Sequence, residues 1–473
     1  MNVLFIHSEE DHYSPEKPLE GPERMQFGIS YISSVLKRNG HETRLVVPSR
    51  QTEHVVEEYI RDFDPGLVCF TSVFTEFAFM SRLAEKVKRS HPDLFLLVGG
   101  PHSTLKPDEC LATVFDAACV GEGEFATLEL VEQLESGRSP AGIPNMYIKD
   151  GNGIERNTPR PFLQDLDALP FPDREMWIPW YANPLSRPSV LLGRGCPFQC
   201  TYCCNHALQR ISDGKYVRFR SADSIVDELE EMKGIFPLLP EVYLEVETLG
   251  VNLDWALELC SRLEKMNARF KLPLVFGANL RVTPNTEYDE LFAALARSNF
   301  RFVNIGLESG SERIRRDVLK RNYSNQDIIR AVQTARAHGL EVGFYNLIGL
   351  PGETPADFRE TIRVNRICQP DWFLLSVFFP YPGTELHERC QELGLLEEPP
   401  DPGLERRKPV LNQPGFTKRQ ISRRYTWSHL LFYGGKRPWR ETTWMVLMTK
   451  VYSSPRLLGV WRAIDRRLHP YKF

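Results

Sequence analysis

Gly193-Arg194-Gly195-Cys196-Pro197-Phe198-Gln199-Cys200-Thr201-Tyr202-Cys203 sets three cysteines in a Cys-x3-Cys-x-aromatic-Cys arrangement. Iron–sulfur clusters are held by cysteine thiolates, and a four-iron cubane normally takes four of them. A loop that offers three at close spacing leaves one iron without a protein ligand. An open coordination position is where metal sites do chemistry, as opposed to structural clamping. Adjacent Cys204 competes with Cys203 for the third position. Structural zinc is the other reading, although zinc sites usually pair two Cys-x2-Cys or Cys/His groups about a dozen or more residues apart. His206 is near enough to act as a fourth zinc ligand.

The surrounding chain narrows the choice. At 473 residues it is long enough for two or three domains, and 42% hydrophobic with 25% charged residues matches an ordinary globular protein. No apolar run of about 18 residues predicts a transmembrane helix. The start, Met1-Asn2-Val3-Leu4-Phe5-Ile6-His7, enters a strand pattern with no basic leader, which predicts a cytoplasmic protein. The six cysteines outside the loop (Cys69, Cys110, Cys119, Cys260, Cys368 and Cys390) are scattered, mostly in apolar contexts, a reducing pattern. Net charge is −4, but residues 401–473 carry 16 Lys/Arg against 4 Asp/Glu, leaving the rest of the chain at −16. That basic, aromatic-rich segment, with Trp427, Trp439, Trp444 and Trp461, suits either an anionic surface or a helical cap on an acidic body. Dispersed basic residues favour the cap, and nucleic acid is not an expected partner.

Residues 1–140 alternate strand-like runs (3–7, 43–47, 67–72, 94–99, 117–120) with helical patterns (27–39, 54–63, 76–90, 107–114, 124–135). Strict βα alternation predicts a flavodoxin-like, doubly wound parallel sheet, which binds ligands beyond the carboxyl ends of its strands. Candidate binding residues cluster at those ends. They are Ser72, Val73 and Phe74 after the third strand, Gly99, Gly100, Pro101 and His102 after the fourth, and Gly121, Glu122 and Gly123 after the fifth. Glycines there let a bulky flat ligand approach the backbone.

Residues 141–188, rich in proline and turn formers, read as a connector without much regular structure. From 189 to 395 a second βα series follows, with strands at 190–193, 242–246, 274–278, 302–306, 342–347 and 373–379. Helices are expected at 224–232, 255–266, 287–298, 326–338 and 355–368. Six such units predict a partial (β/α)6 TIM-like barrel, with the cysteine loop at the carboxyl end of its first strand, where barrel enzymes do chemistry. Residues 396–473 read as a mostly helical C-terminal segment. The other strand ends carry Glu247, Asn279, Arg281, Gly306-Leu307-Glu308-Ser309-Gly310-Ser311, Gly349-Leu350-Pro351-Gly352-Glu353-Thr354 and Pro380-Tyr381-Pro382-Gly383-Thr384.

The cysteine spacing, with Tyr202 before the third cysteine, resembles the radical S-adenosylmethionine (SAM) signature, and that register assigns Cys196, Cys200 and Cys203 to a 4Fe-4S cluster with Cys204 as bystander. Gly-Gly-Pro-His at 99–102, Gly-Glu-Gly-Glu at 121–124 and Phe27-Gly28-Ile29-Ser30-Tyr31-Ile32 resemble the cobalamin-binding domain that precedes many radical SAM domains. Leu169-Pro170-Phe171-Pro172-Asp173-Arg174, Gly306–Ser311 and Pro380–Thr384 resemble the same cobalamin-linked branch, over about residues 1–395. The resemblance implies SAM contacts from Tyr202, Glu247, Asn279, Glu308, Ser309 and Arg321. It implies cobalamin bound without a histidine lower ligand, because the Asp-x-His-x-x-Gly motif is missing and Asp11-His12 lacks its spacing.

Enzymes of this family reduce SAM to a 5′-deoxyadenosyl radical, drawing electrons from a donor such as flavodoxin or ferredoxin. The expectation is methylation of an unactivated carbon or phosphinate phosphorus in a small molecule or lipid. Radical cyclisation or rearrangement without methyl transfer is one alternative, and a non-catalytic cobalamin or redox sensor is another. A methylthiotransferase would need a second cluster-binding set in the N-terminal domain, and Cys69, Cys110 and Cys119 lack that spacing. No individual catalytic residue and no substrate is legible.

Overall fold

The expected βα alternation runs from the first residues of the computed structural model, which describes residues 1–9, 13–151, 153–396, 400–454 and 457–461. Asp11, His12 and the basic residues beyond Trp461 lie outside the described residues. Two compact units form: Met1–Pro197 with Asn205–Arg220, and Phe198–Cys204 with Ser221 onward.

In the first unit β1 (Asn2–Ile6), β2 (Glu42–Val46), β3 (Leu67–Thr71), β4 (Phe95–Gly99) and β5 (Ala117–Cys119) are parallel in the order β2-β1-β3-β4-β5. Val3 to Ile6 are all buried, the continuous apolar run of a strand covered on both faces. Its helices are α1 (Phe27–Arg38), α2 (Val55–Phe63), α3 (Phe77–Ser90), α4 (Pro101–Leu105), α5 (Pro107–Leu111) and α6 (Glu124–Glu135). Order reversal between β1 and β3 makes the switch point beyond their carboxyl ends the natural ligand crevice.

The connector is more regular than its composition suggests. β6 (Met146–Asp150) and β7 (Gly153–Arg156) form an antiparallel hairpin added to β5. Met146 and Ile148 are buried while Tyr147 and Lys149 are only half-buried, the period-two pattern of a strand covered on one face. Further on, fully buried Trp177 donates its indole N–H to Ser30 Oγ (2.8 Å), and Asp173 accepts from Ser33 Oγ (2.6 Å) and Lys37 Nζ (2.8 Å). The proline-rich stretch is therefore strapped along α1. β8 (Ser189–Leu191) and β9 (Gly193–Arg194) follow, then, beyond the cysteines, α7 (Asn205–Leu208) and β10 (Arg218–Phe219), which pairs antiparallel with β9.

In the second unit β11 (Glu241–Glu245), β12 (Val275–Leu280), β13 (Phe300–Glu308), β14 (Glu341–Ile348) and β15 (Trp372–Val377) lie parallel in sequence order. The helices between them and before them are α8 (Ala222–Ile235), α9 (Leu253–Asn267), α10 (Asp289–Arg297), α11 (Asn325–Ala337) and α12 (Pro355–Cys368), in the pattern of a partial β/α barrel. Ser324/Asp327 and Thr354/Asp357 capping boxes start α11 and α12. Gly277 and Gly343 make room for large neighbours on the same face: a Cβ there would lie 2.1 Å from the Phe302 ring and 2.2 Å from Trp372 Nε1. α13 (Glu385–Glu392), α14 (Lys418–Thr426), α15 (Ser428–Tyr433) and α16 (Trp439–Tyr452) follow β15. Phe416, Ile421, Phe432 and Tyr433 pack with Ile348, Phe358, Leu375 and Val377, so α14 and α15 cap the β14–α12–β15 side.

Candidate active site

Two sites can be built, one in each unit. In the first, a cavity of about 340 Å³ opens at the carboxyl ends of β1, β3, β4 and β5. Gly99, Gly100, Pro101, Gly121, Glu122 and Gly123 line it. Gly100 holds φ +102°, and a Cβ there would sit 2.7 Å from the Ser72 carbonyl oxygen, so this position requires glycine.

Ser72, Val73, Phe74 and His102 are not in the cavity wall. Ser72 pairs its backbone N–H with Gly99 and accepts from the His102 N–H, while Val73 is exposed. His102 is buried against the rings of Phe77 (4.5 Å between centroids) and Phe74 (5.8 Å), and burial lowers its pKa. Because the helix starts at Pro101, the histidine turns into the packing under the loop.

What the strand-end reading missed is the far wall: Phe162, Leu208, Ile211 and Tyr216, from the connector and from the segment after the cysteines. Glu122 ties that wall in place. Its carboxylate accepts from Arg194 Nη1 (2.9 Å), Arg218 Nη1 (2.9 Å) and the Leu163 N–H (2.8 Å). Burial alone would raise the Glu122 pKa, but the two guanidiniums hold it below the usual carboxylate range. The second Arg194 amino group reaches Glu124. Strand β9, which leads into the cysteine loop, and its partner β10 are thus fastened to the β5–α6 turn.

In the second unit the residues Phe198–Cys204 sit on the carboxyl ends of β12 and β13. Arg281, one residue beyond β12, stacks its guanidinium 3.6 Å above the Phe198 ring and sets Nη1 2.8 Å from Cys200 Sγ. Below it, Thr201 donates Oγ1 to the Val318 carbonyl (2.6 Å) and accepts from the Leu386 N–H (2.9 Å). Tyr202 OH accepts from Arg321 Nη1 (2.8 Å), which also reaches Glu308 Oε1 (3.0 Å), while Arg321 Nη2 donates to the Gly306 carbonyl (2.9 Å). All three side chains are largely or wholly buried. Glu308 adopts φ +57° where the register with β14 shifts, a strained conformation of the kind that clusters at functional sites.

Ser309 is fully buried and its hydroxyl accepts from the Ser311 N–H (3.2 Å), so it shapes the loop from within. Gly310 N–H bonds Thr361 Oγ1 (2.8 Å), pinning the loop to α12. Asn279 accepts from Tyr243 OH (2.6 Å), Tyr243 OH accepts from Asn304 Nδ2 (3.1 Å), and Asn304 accepts from Trp372 Nε1 (3.1 Å). These residues alternate by two along their strands and share the sheet face that carries Glu308 and Arg281. Glu245 belongs to the same face of β11, and burial with the nearby Glu247 carboxylate raises its pKa to about 7. Stepping back by two from Glu247 and Glu308 along each strand would have found Glu245, Tyr243 and Asn304 in the sequence. Cys204 is in contact with Cys203, and that contact, burial and Glu247 together push its thiol pKa up.

Residues 23–131 match the B12 binding domain family and residues 190–364 match the radical SAM superfamily. The chain is a cobalamin-binding radical SAM enzyme. It is 28% identical over 415 residues to an uncharacterized methyltransferase of Pyrococcus horikoshii, covering 86% of this chain and 87% of that one. It is 26% identical over 414 residues to an anaerobic magnesium-protoporphyrin IX monomethyl ester cyclase of Rubrivivax gelatinosus, covering 83% and 70%. The fold matches the structure of the cobalamin-dependent SAM radical enzyme OxsB with aqua-cobalamin and SAM bound, with TM-score 0.72, 13% identity and coverage of 100% and 75%.

The cofactors of this radical SAM enzyme are therefore a 4Fe-4S cluster, SAM and cobalamin. Its residues fit them. The first-unit cavity is walled largely by glycines and apolar side chains at the strand ends, the lining a flat ring system would require. None of the ten cysteines is in a disulfide, so Cys196, Cys200 and Cys203 all keep free thiols. Among the described residues no three His, Cys, Asp or Glu side chains converge as a single-ion site would require.

Proposed function

We propose that this enzyme methylates an unactivated carbon, or a phosphinate phosphorus, of a small molecule or lipid. The seating of Phe198–Cys204 on the carboxyl ends of β12 and β13 carries the reading, since barrel enzymes do their chemistry at that end. When bound, the cluster and SAM supply a carbon-centred radical, and cobalamin supplies the methyl group. Cys196, Cys200 and Cys203 would hold the cluster, with Arg281 offsetting the charge of the Cys200 thiolate. Tyr202, Glu308 and Arg321 keep the loop rigid from beneath, which a reaction that tolerates little misplacement requires.

The face carrying Asn279, Asn304 and Tyr243 presents a hydrogen-bonded, preorganised polar surface to whatever enters. Toward the amino ends of the strands Phe302 and Trp372, edge to face at 5.0 Å, close that surface and exclude water. Glu245 can hold or accept a proton near neutral pH on the same face. A one-electron donor of the flavodoxin or ferredoxin class in the cytoplasm fits this chemistry, and among the described residues no helix is long and apolar enough to cross a membrane.

Reconstituted enzyme incubated with SAM, cobalamin, reductant and a panel of small-molecule and lipid substrates tests the reading. Formation of both 5′-deoxyadenosine and S-adenosylhomocysteine is expected. Deoxyadenosine alone would favour ring formation or rearrangement, the second reading, which the likeness to the Rubrivivax cyclase supports. Neither product would favour a sensing protein and defeat the proposal.

A further inference from the structure

The inner side of the C-terminal cap is accounted for by its packing on β14, α12 and β15, but α16 is not. Thr442 is the one residue buried in this helix. Eight of its fourteen residues are apolar or aromatic, and Trp439 (71% exposed), Trp444 (51%) and Leu447 (51%) stand in solvent. Val460 (60%) extends the surface, and Trp461 lies edge to face with Trp444 at 5.8 Å. Isolated exposed apolar residues are ordinary, but a helix and a following segment, 457–461, that expose this many mark an interaction surface.

Charge says what covers it. Glu441, the single acid on α16, is taken by Arg437 (3.0 Å). Lys436, Arg440 and Lys450 have no carboxylate partner among the described residues. The surface is therefore apolar with a net positive rim. A second copy of this chain on a twofold axis would set that rim against itself, and like charges facing each other oppose association. At about 1.5 Å per residue, fourteen residues span roughly 21 Å, too short to cross a hydrocarbon core of about 30 Å. A helix with tryptophans and cations that cannot cross suits the plane of the headgroups.

We propose that α16 and residues 457–461 dock this enzyme on an anionic lipid surface. The apolar side chains enter the headgroup boundary, and Lys436, Arg440 and Lys450 meet the lipid phosphates. The inference is independent of methyl transfer and of the substrate.

Full-length reconstituted enzyme should co-sediment with phosphatidylcholine vesicles containing phosphatidylglycerol, and much less with phosphatidylcholine alone. Raising the salt should weaken binding, by up to about fivefold for each cation engaged. Trp439→Ser, Trp444→Ser and Leu447→Ser combined should lower partitioning at least about tenfold. Lys436→Glu, Arg440→Glu and Lys450→Glu combined should abolish the preference for anionic vesicles. Both variants change exposed side chains only, so SAM cleavage should stay at the wild-type rate, which verifies that they fold. Equal sedimentation with both vesicle types, no sedimentation, or partitioning unchanged in the triple serine variant would overturn the proposal. So would a dimer in light scattering that the serine variant converts to monomer, because the face would then belong to a second copy.

Discussion

Replacing Arg321 with methionine removes the group on which the underside of the cysteine loop depends. The arginine is 6% exposed and its partner Glu308 10%, so the substitution strands a carboxylate away from water. Breaking one side of a buried ion pair costs about 3–5 kcal/mol, most of it from the charge left behind. The Gly306 carbonyl keeps the Tyr323 hydroxyl (2.8 Å) and adds little. Tyr202 loses the donor at 2.8 Å, worth about 1 kcal/mol, next to Cys203. For a unit of this size each kcal/mol moves the melting temperature by about 2–4 °C, so the variant should melt roughly 8–24 °C lower. Thermal unfolding by circular dichroism, with iron per chain after reconstitution, measures both effects, and iron should fall with stability. Pairing Arg321→Met with Glu308→Leu should recover most of the lost stability, because two apolar groups leave no orphaned charge. A single variant costing under about 1 kcal/mol, or a double variant as unstable as the sum of the singles, would refute this account.

Glu122→Ala leaves Arg194 and Arg218 without their shared acceptor; a stability loss of about 2–4 kcal/mol and weaker cobalamin retention on gel filtration are expected. Glu353 is fully buried and accepts from the Gly349 (2.6 Å) and Leu350 (3.2 Å) N–H groups, with burial raising its pKa to about 8. Its native state therefore keeps a proton that the unfolded chain gives up from about pH 4.5, and the stability tied to that proton is lost as pH rises through about 8. Glu353→Gln should flatten the fall in melting temperature between those limits, and an unchanged slope would contradict the assignment. Cys196→Ala, Cys200→Ala and Cys203→Ala should each lose iron and SAM cleavage, whereas Cys204→Ala should retain both, as read by iron analysis and deoxyadenosine formation.

What was legible in the sequence was what short-range pattern encodes. Apolar runs spaced by amphipathic stretches gave both parallel sheets, and the cysteine spacing located the loop. The β6–β7 hairpin escaped because proline and turn residues around it masked the alternation of Met146 and Ile148. His102 is a strand-end candidate within Gly-Gly-Pro-His, and its packing against Phe77 is set by the fold. Arg281 contacts Phe198 and Cys200 from some eighty residues away, and Glu122 meets Arg194 and Arg218. Partnerships of that kind are written in topology, and no local window contains them.

The chain passes from one unit to the other three times, after Pro197, after Cys204 and after Arg220. No single cut, at the connector or elsewhere, releases either unit whole. Ending the protein before β8 would strip Leu208, Ile211 and Tyr216 from the first cavity and take Arg194 and Arg218 from the Glu122 carboxylate. The two units cannot be inherited, exchanged or evolved as separate beads on a string. A recombination that swaps one must carry residues 205–220 with the first sheet and Phe198–Cys204 with the second, so the cysteine loop itself is divided at Pro197.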